Sequence, residues 1–398
     1  MAEPDDAASP RTADGPAPER PGPGPGRPAR RRRRARRSGP WAVAAIIVAV
    51  ILLANAAAAV IGPNIPRRSG SEERAFIKAD QMYRRSGPTA VAFLGSSETA
   101  GGIVPSTVAA HAPDLDGGVY NAALAGTFLP TYRDWADEVV VPTLDPDVVV
   151  IGMLPMTVAD IPAKEGPLAG YTKARRAYLS AIDQISGGEL GRVGWEARQR
   201  SALVRYRPWL RQPQLLAKGI RNTLTGEEPK GRPAGTGMDW SKETNPATVA
   251  ANTGPDGEVF DYHQQSLPVD ADPLGAAIYR AFAQGTEDLV PLERFTAHLQ
   301  ARGVTPVVLL LPVDRGPLAK GGADLATLDG WARDVEAWGK EHGVPVRDEF
   351  TKDWSSDLFH DRNHLDEAGA EQLSTVVGRW LQDLCDQGAI ADACRPAR

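Results

Sequence analysis

At 398 residues the chain is long enough for one large or two ordinary domains, and a hydrophobic content of 42% supports a folded core. The formal charge of −5 is unevenly spread: residues 1–62 carry 10 basic and 5 acidic side chains, leaving 35 basic and 45 acidic in the rest. An acidic body argues against a nucleic-acid binder, and two cysteines, Cys385 and Cys394, are too few for a disulfide scaffold or a paired-cysteine metal site.

Residues 1–39 are rich in Pro, Gly, Ala and Arg, with almost no large apolar side chains. Such a segment cannot bury enough surface to offset its ordering entropy, so a disordered tail is expected. It ends in the arginine run Arg30 to Arg34, Arg36 and Arg37. Trp41 to Ile61 follows without a charge, and its length matches the roughly 20 residues of a membrane helix. The positive-inside rule then holds the N-terminus in the cytoplasm and places the rest of the chain outside the membrane. A cleaved signal peptide is the rival reading, since Ala56 to Ala59 offer small residues for cleavage. The arginine run as a nucleic-acid patch is the lesser alternative. On this reading 40–62 is an anchor, and 63–88 is a juxtamembrane segment with a helix expected over Glu73–Tyr83.

The core pattern begins at Val91–Leu94, a short apolar run read as a buried strand. It ends in the small-residue turn Gly95-Ser96-Ser97, followed by a short helix expected over 103–110 with Pro105 interrupting it. Gly118-Val119-Tyr120 leads into a second strand-to-turn junction ending at Gly126, and Tyr132–Val141 has helical spacing. The β-branched run Asp147–Gly152 is the best central-strand candidate. Residues 160–272 lose the alternation and read as a lid-like insertion, helical in parts of 171–185 and 191–216, and a loop over 223–257. A helix pair is expected within 276–302, then a buried strand at Val304–Leu311, a helix over Leu325–His342, and a short strand at Val344–Val346. The last helix starts near Asp366 and carries Leu373, Val377, Trp380, Leu381 and Leu384 on one stripe. Strands alternating with helices point to a parallel sheet with crossover helices over 89–385, followed by a tail, 386–398.

A serine at the carboxyl end of the first strand stands where open α/β sheets place their chemistry. Serine needs a base to take its proton, histidine has the pKa for that, and an acid orients the imidazole. Ser97, His364 and Asp361 supply the three, the last two in Asp361-Arg362-Asn363-His364. The backbone N–H groups of Ser97 and Gly126 are candidate oxyanion donors. Outside the cytoplasm a Cys385–Cys394 disulfide is favoured over two free thiols, and would pin the tail to the last helix. No phosphate loop or metal-ligand cluster stands out, so no cofactor is expected. His360 lies one turn from His364, but no third metal ligand can be placed from sequence.

The order of these blocks resembles the SGNH (GDSL-type) hydrolases. Gly95-Ser96-Ser97 takes the place of the family's Gly-Asp-Ser, Gly126 that of its oxyanion glycine, and Asp361 and His364 that of its Asp-x-x-His. The resemblance covers about 90–160 and 300–385, and implies a flavodoxin-like three-layer α/β/α sandwich with a mainly parallel sheet. Ser96 replaces the usual Asp, and Leu154 stands where the third block carries an oxyanion-donating Asn. Together with the anchor and His364-Leu365, these departures are similar to extracytoplasmic SGNH-like proteins of cell-envelope acylation, such as the D-alanine-transfer protein of teichoic-acid modification and alginate O-acetylation proteins. Such proteins often work beside a multi-spanning membrane O-acyltransferase. The resemblance therefore implies a membrane-anchored esterase or O-acyltransferase acting on envelope glycans or other acyl esters. The alternatives are a non-catalytic member that binds a glycan or a membrane partner, and a secreted α/β domain whose motifs coincide by chance.

Overall fold

A computed structural model describes residues 40–65, 70–158, 169–186, 191–227, 246–260, 289–320 and 322–395. The expected disordered tail lies outside them, as do much of the insertion and residues 276–288 of the expected helix pair. The chain divides into two units, Met1–Val50 and Ile51–Arg398. The described part of the first, residues 40–50, is wholly helical. Among the described residues one stretch, Pro40–Asn64, is long and apolar enough to cross a membrane.

The second unit is built on five strands: β1 (Thr89–Leu94), β2 (Gly118–Asn121), β3 (Val148–Met153), β4 (Thr305–Leu310) and β5 (Val346–Asp348). All pair in parallel in the order β2-β1-β3-β4-β5, the doubly wound order of flavodoxin-like sheets. Every residue of β1 and β3 is buried, so both faces of the sheet are covered. That is why these strands read as unbroken apolar runs rather than alternating ones. The β-branched run at 148–151 is central, with β1 on one side and β4 on the other.

Helices follow the strands. Leu325–His342 starts on Asp324, whose carboxylate accepts the Ala326 N–H at 3.0 Å, and ends on Gly343 with φ 66°. Glu367–Asp386 starts on Asp366, which accepts the Gly369 N–H at 2.8 Å, and buries Leu373, Val377, Trp380, Leu381 and Leu384. Pro105 begins a helix, Pro105–His111, rather than interrupting one. A proline ring suits that first position because its missing N–H would have no helical partner there. The helix Gly70–Arg84 is no mere spacer: Ala75, Phe76, Ala79 and Met82 belong to the main core. The expected loop over 223–257 also contains a helix, Pro246–Ala251, after which 252–260 returns to the body. There the Asn121 N–H donates to the Asp256 carbonyl and the Val259 N–H to the Ala100 carbonyl, at 2.8 and 2.9 Å.

Cys385 and Cys394 form a disulfide with their Cα atoms 5.8 Å apart. The tail it holds lies along the segment before β2: Leu115 bridges Cys394, and the Asp116 N–H donates to the Ala393 carbonyl at 2.8 Å.

Candidate active site

The serine turn is shaped by packing. Neither Gly95 nor Gly152 could carry a Cβ, because each would collide with the Thr99 side chain that lies between the ends of β1 and β3. The helix Ser97–Gly102 begins immediately after Ser96, where the sequence pattern indicates only a turn, and precedes the helix expected over 103–110. Ser97 is its first residue and is buried. The Asn121 side chain, at the end of β2, holds this helix from beneath. Its amide nitrogen lies 2.9 Å from the Thr99 carbonyl, 3.2 Å from that of Ala100 and 2.9 Å from that of Ile103. The fully buried Lys78 in turn donates to the Asn121 carbonyl at 2.7 Å. Burial, reinforced by Arg74, pushes that amine well below the usual lysine range.

Gly126 lies in the left-handed region, with φ 72°. Its N–H points at the serine turn and donates to Ser96 Oγ at 3.2 Å. The candidate oxyanion donor is thus engaged by the neighbour of the candidate nucleophile.

The histidine segment is a tight loop closed across its base: the His360 N–H donates to the His364 carbonyl at 3.1 Å, and Phe359 bridges Leu365. Asp361 organises it with both oxygens. Oδ1 accepts the backbone N–H groups of Asn363 and His364 at 2.9 and 2.7 Å. Oδ2 lies 2.7 Å from His364 Nδ1. Burial alone would raise Asp361, but the imidazole charge, its hydrogen bond and His360 outweigh it and hold the carboxyl well below the ordinary range. Burial disfavours the His364 imidazolium, yet the Asp361 carboxylate, that hydrogen bond and Glu98 prevail and raise its pKa. The result is a buried acid–imidazole pair with Nδ1 committed to the acid, which leaves Nε2 as the atom for proton transfer.

Two residues with no role in the sequence reading join this loop to the serine helix. Glu98, next to Ser97, accepts a hydrogen bond from the Asn363 amide at 2.6 Å, and both are buried. The bond spans 265 positions, so nothing local announces it, although Asn363 lies inside the Asp361–His364 motif and Glu98 directly follows the serine turn. Val104 N–H to Ser374 Oγ, 2.8 Å, adds a second tie between the elements that follow β1 and the last helix. The structure thus brings Asp361 and His364 into direct contact and fastens their loop beside Ser97. Among the described residues no hydrogen bond joins the Ser97 hydroxyl to His364.

At the end of β3 the arrangement differs. Leu154 is fully buried in the core, and Thr157 Oγ1 donates to the Leu154 carbonyl at 2.7 Å and accepts its N–H at 3.3 Å. This turn closes on itself.

His360, Asp361 and His364 also place one ligand atom each within 4.8 Å of one another and could hold a metal ion, Asp361 supplying the third ligand that sequence reasoning could not place. Of these atoms His364 Nδ1 and Asp361 Oδ2 already lie 2.7 Å from each other. No family model matches the chain, and no curated protein matches it in sequence.

Proposed function

We propose that the chain is an SGNH-type serine acyl enzyme, anchored by its apolar helix with the α/β unit outside the membrane, and that it hydrolyses or transfers acyl esters of cell-envelope glycans. The observation that carries this reading is the buried Asp361–His364 pair, held by the Glu98–Asn363 hydrogen bond beside the helix that Ser97 begins. In the reaction Ser97 Oγ attacks the acyl carbonyl while its proton passes to His364 Nε2. Asp361 keeps Nδ1 protonated and steadies the imidazolium. The tetrahedral oxyanion is met by the Ser97 and Gly126 N–H groups, the latter exchanging Ser96 Oγ for the substrate oxygen. Collapse expels the first alkoxide, which takes the proton from His364. Water or a glycan hydroxyl then attacks the acyl-serine carbonyl, giving its proton to His364; collapse breaks the bond to Oγ, releases the carboxylic acid or the new ester, and His364 returns the proton to Ser97 Oγ. No cofactor is needed for these steps. A multi-spanning membrane O-acyltransferase that delivers the acyl group fits such a site as a partner.

The decisive experiment is covalent labelling of the detergent-solubilised full chain with a fluorophosphonate probe. Labelling that maps to Ser97 and is lost in Ser97→Ala supports the enzyme; equal labelling of Ser97→Ala refutes it.

The second reading is a non-catalytic member that binds an envelope glycan or a membrane partner through the same cleft. It is favoured by one pair of observations: the Gly126 N–H is given to Ser96, and the β3 turn offers packing where the family carries a donor. It predicts that Ser97→Ala and His364→Ala chains restore every phenotype of a deletion strain.

A further inference from the structure

The segment 197–226 contains seven basic residues, Arg198, Arg200, Arg205, Arg207, Arg211, Lys218 and Arg221, and no acidic one. It belongs to a chain whose residues beyond 62 are otherwise acidic in balance. This segment is seated on the final turns of the apolar helix and the residues just after it. Asn55 Oδ1 accepts Ser201 Oγ–H at 2.8 Å and the Leu203 N–H at 3.1 Å. The Asn64 amide donates to Thr223 Oγ1 at 3.0 Å, and the Asn222 amide to the Asn64 carbonyl at 3.1 Å. Gly62 and Gly219 are required by the fit: a Cβ on the first would strike the Tyr206 ring, and on the second Ile65.

The depth of these contacts sets the argument. Asn55 precedes Ile61, the last residue of the helix, by six positions, about 9 Å along the axis. Ser201 and Leu203 are therefore held level with apolar residues of the helix, short of its end. The surface that the segment leaves exposed has two characters. Val204, Ile220 and Leu224 are apolar and solvent-facing, Leu224 at 81%. Arg200, Arg207, Arg211, Lys218 and Arg221 are exposed beside them. Apolar side chains among basic ones, at the height of a helix end, are what an interfacial element presents to lipid.

We infer that residues 197–226 form an interfacial platform that lies in the headgroup layer around the exit of the anchor and binds anionic lipid headgroups. This rests on the membrane-anchor reading above. The two hydrogen bonds to Asn55 then have a second role: they satisfy an amide oxygen that would otherwise be exposed to hydrocarbon. The part of the insertion expected to act as a lid becomes a footing that fixes the height of the α/β unit over the bilayer. Charge complementarity and continuity with the apolar helix favour lipid over a protein occupant.

The test uses the full chain in vesicles of phosphatidylcholine, with and without phosphatidylglycerol. Val204→Cys supplies a single free thiol, since Cys385 and Cys394 are bonded to each other, and carries an environment-sensitive fluorophore. Flotation reports the anchor; quenching by lipids bearing a spin label near the headgroup reports the platform. The expected result is flotation in both compositions, with quenching of roughly twofold or more that is strengthened by the anionic lipid and weakened in Arg207→Gln/Arg211→Gln. Flotation without quenching overturns the platform and leaves the anchor standing. Shielding from aqueous iodide without lipid quenching overturns it in favour of a protein or polymer cover. Failure to float overturns the anchor and the platform together.

Discussion

The turns that end β1 and β2 are tied to each other and to the histidine loop by side chains, whereas the turn that ends β3 is closed on itself. On the first side, Gly126 reaches Ser96, Asn121 holds the serine helix, and Glu98 grips Asn363. On the other, Thr157 bonds twice to Leu154 within the turn itself. The difference teaches where geometry is being specified. A hydrogen bond between segments 265 positions apart costs loop-closure entropy whatever its length, and it fixes direction as well as distance. A buried leucine fixes volume only. The polar side is therefore where chemistry is expected and the β3 side where stability is.

The sharpest way to break that comparison is to remove the acid of the pair. Asp361→Asn keeps the loop's shape but favours the wrong imidazole tautomer, and fluorophosphonate labelling of Ser97 should slow by about ten-thousandfold. A loss under tenfold would show that the polar side is structural. The pH profile gives an independent reading. In the proposed mechanism neutral His364 is the base, and its pKa is raised by Asp361. The acid limb of the wild-type labelling rate should thus lie above the free-histidine value of about 6.5, and the residual limb of Asp361→Asn should lie below the wild-type one. Stability carries the same signs. The raised His364 stabilises fully below the unfolded histidine pKa, and that contribution is lost as pH rises through the folded one. The depressed Asp361 stabilises above the unfolded aspartate pKa, and its contribution is lost as pH falls through the folded one. The melting-temperature difference between wild type and Asp361→Asn should therefore be largest between about pH 4 and 6.5.

Next in size is the bridge. Hydrogen bonds to charged groups contribute about 1.5–3 kcal/mol, so Asn363→Ala should slow labelling by about 10- to 100-fold if that bond positions the loop. Glu98→Gln retains an acceptor oxygen and should hold the loop in place, recovering most of the rate while lowering the acid limb, because Glu98 is one of the groups that raise His364. A fall in melting temperature with an unchanged labelling rate would assign the bridge to stability alone.

What could be read beforehand divides along physical lines. The apolar runs of β1, β3 and β4 were legible because both faces of the sheet are covered, and Leu325–His342 because its apolar residues recur at helical spacing. Asp361 and His364 were legible because an acid three residues before a histidine can close a local turn. The serine helix was not, since Glu98 and Gly101-Gly102 carry no apolar stripe, and its support comes from Asn121 on another strand. Nor was the burial of the helix Gly70–Arg84, whose polar composition hides Lys78 bonded to the Asn121 carbonyl. Contacts between distant segments leave no periodicity, and Glu98–Asn363 is the extreme case.

A smaller effect is expected from Ser96. Its hydroxyl competes with an incoming oxyanion for the Gly126 N–H. Removing a competing neutral hydrogen bond, worth about 1 kcal/mol, should speed labelling about fivefold in Ser96→Ala. A slowing would mean that Ser96 orients Gly126 rather than blocking it.

The smallest change in rate is expected where the comparison says chemistry is absent. Leu154→Asn places an amide at the position where the resemblance calls for an oxyanion donor. Leu154 is completely buried among apolar side chains, so an amide there is desolvated without a partner and should cost about 1–3 kcal/mol of stability. If the turn does no more than pack, labelling of Ser97 should change by less than about twofold while the melting temperature falls. If labelling instead rises by about a hundredfold, the size of one oxyanion donor, the end of β3 opens on the same cleft as Ser97. The two sides of the sheet's edge would then differ by one side chain rather than by design.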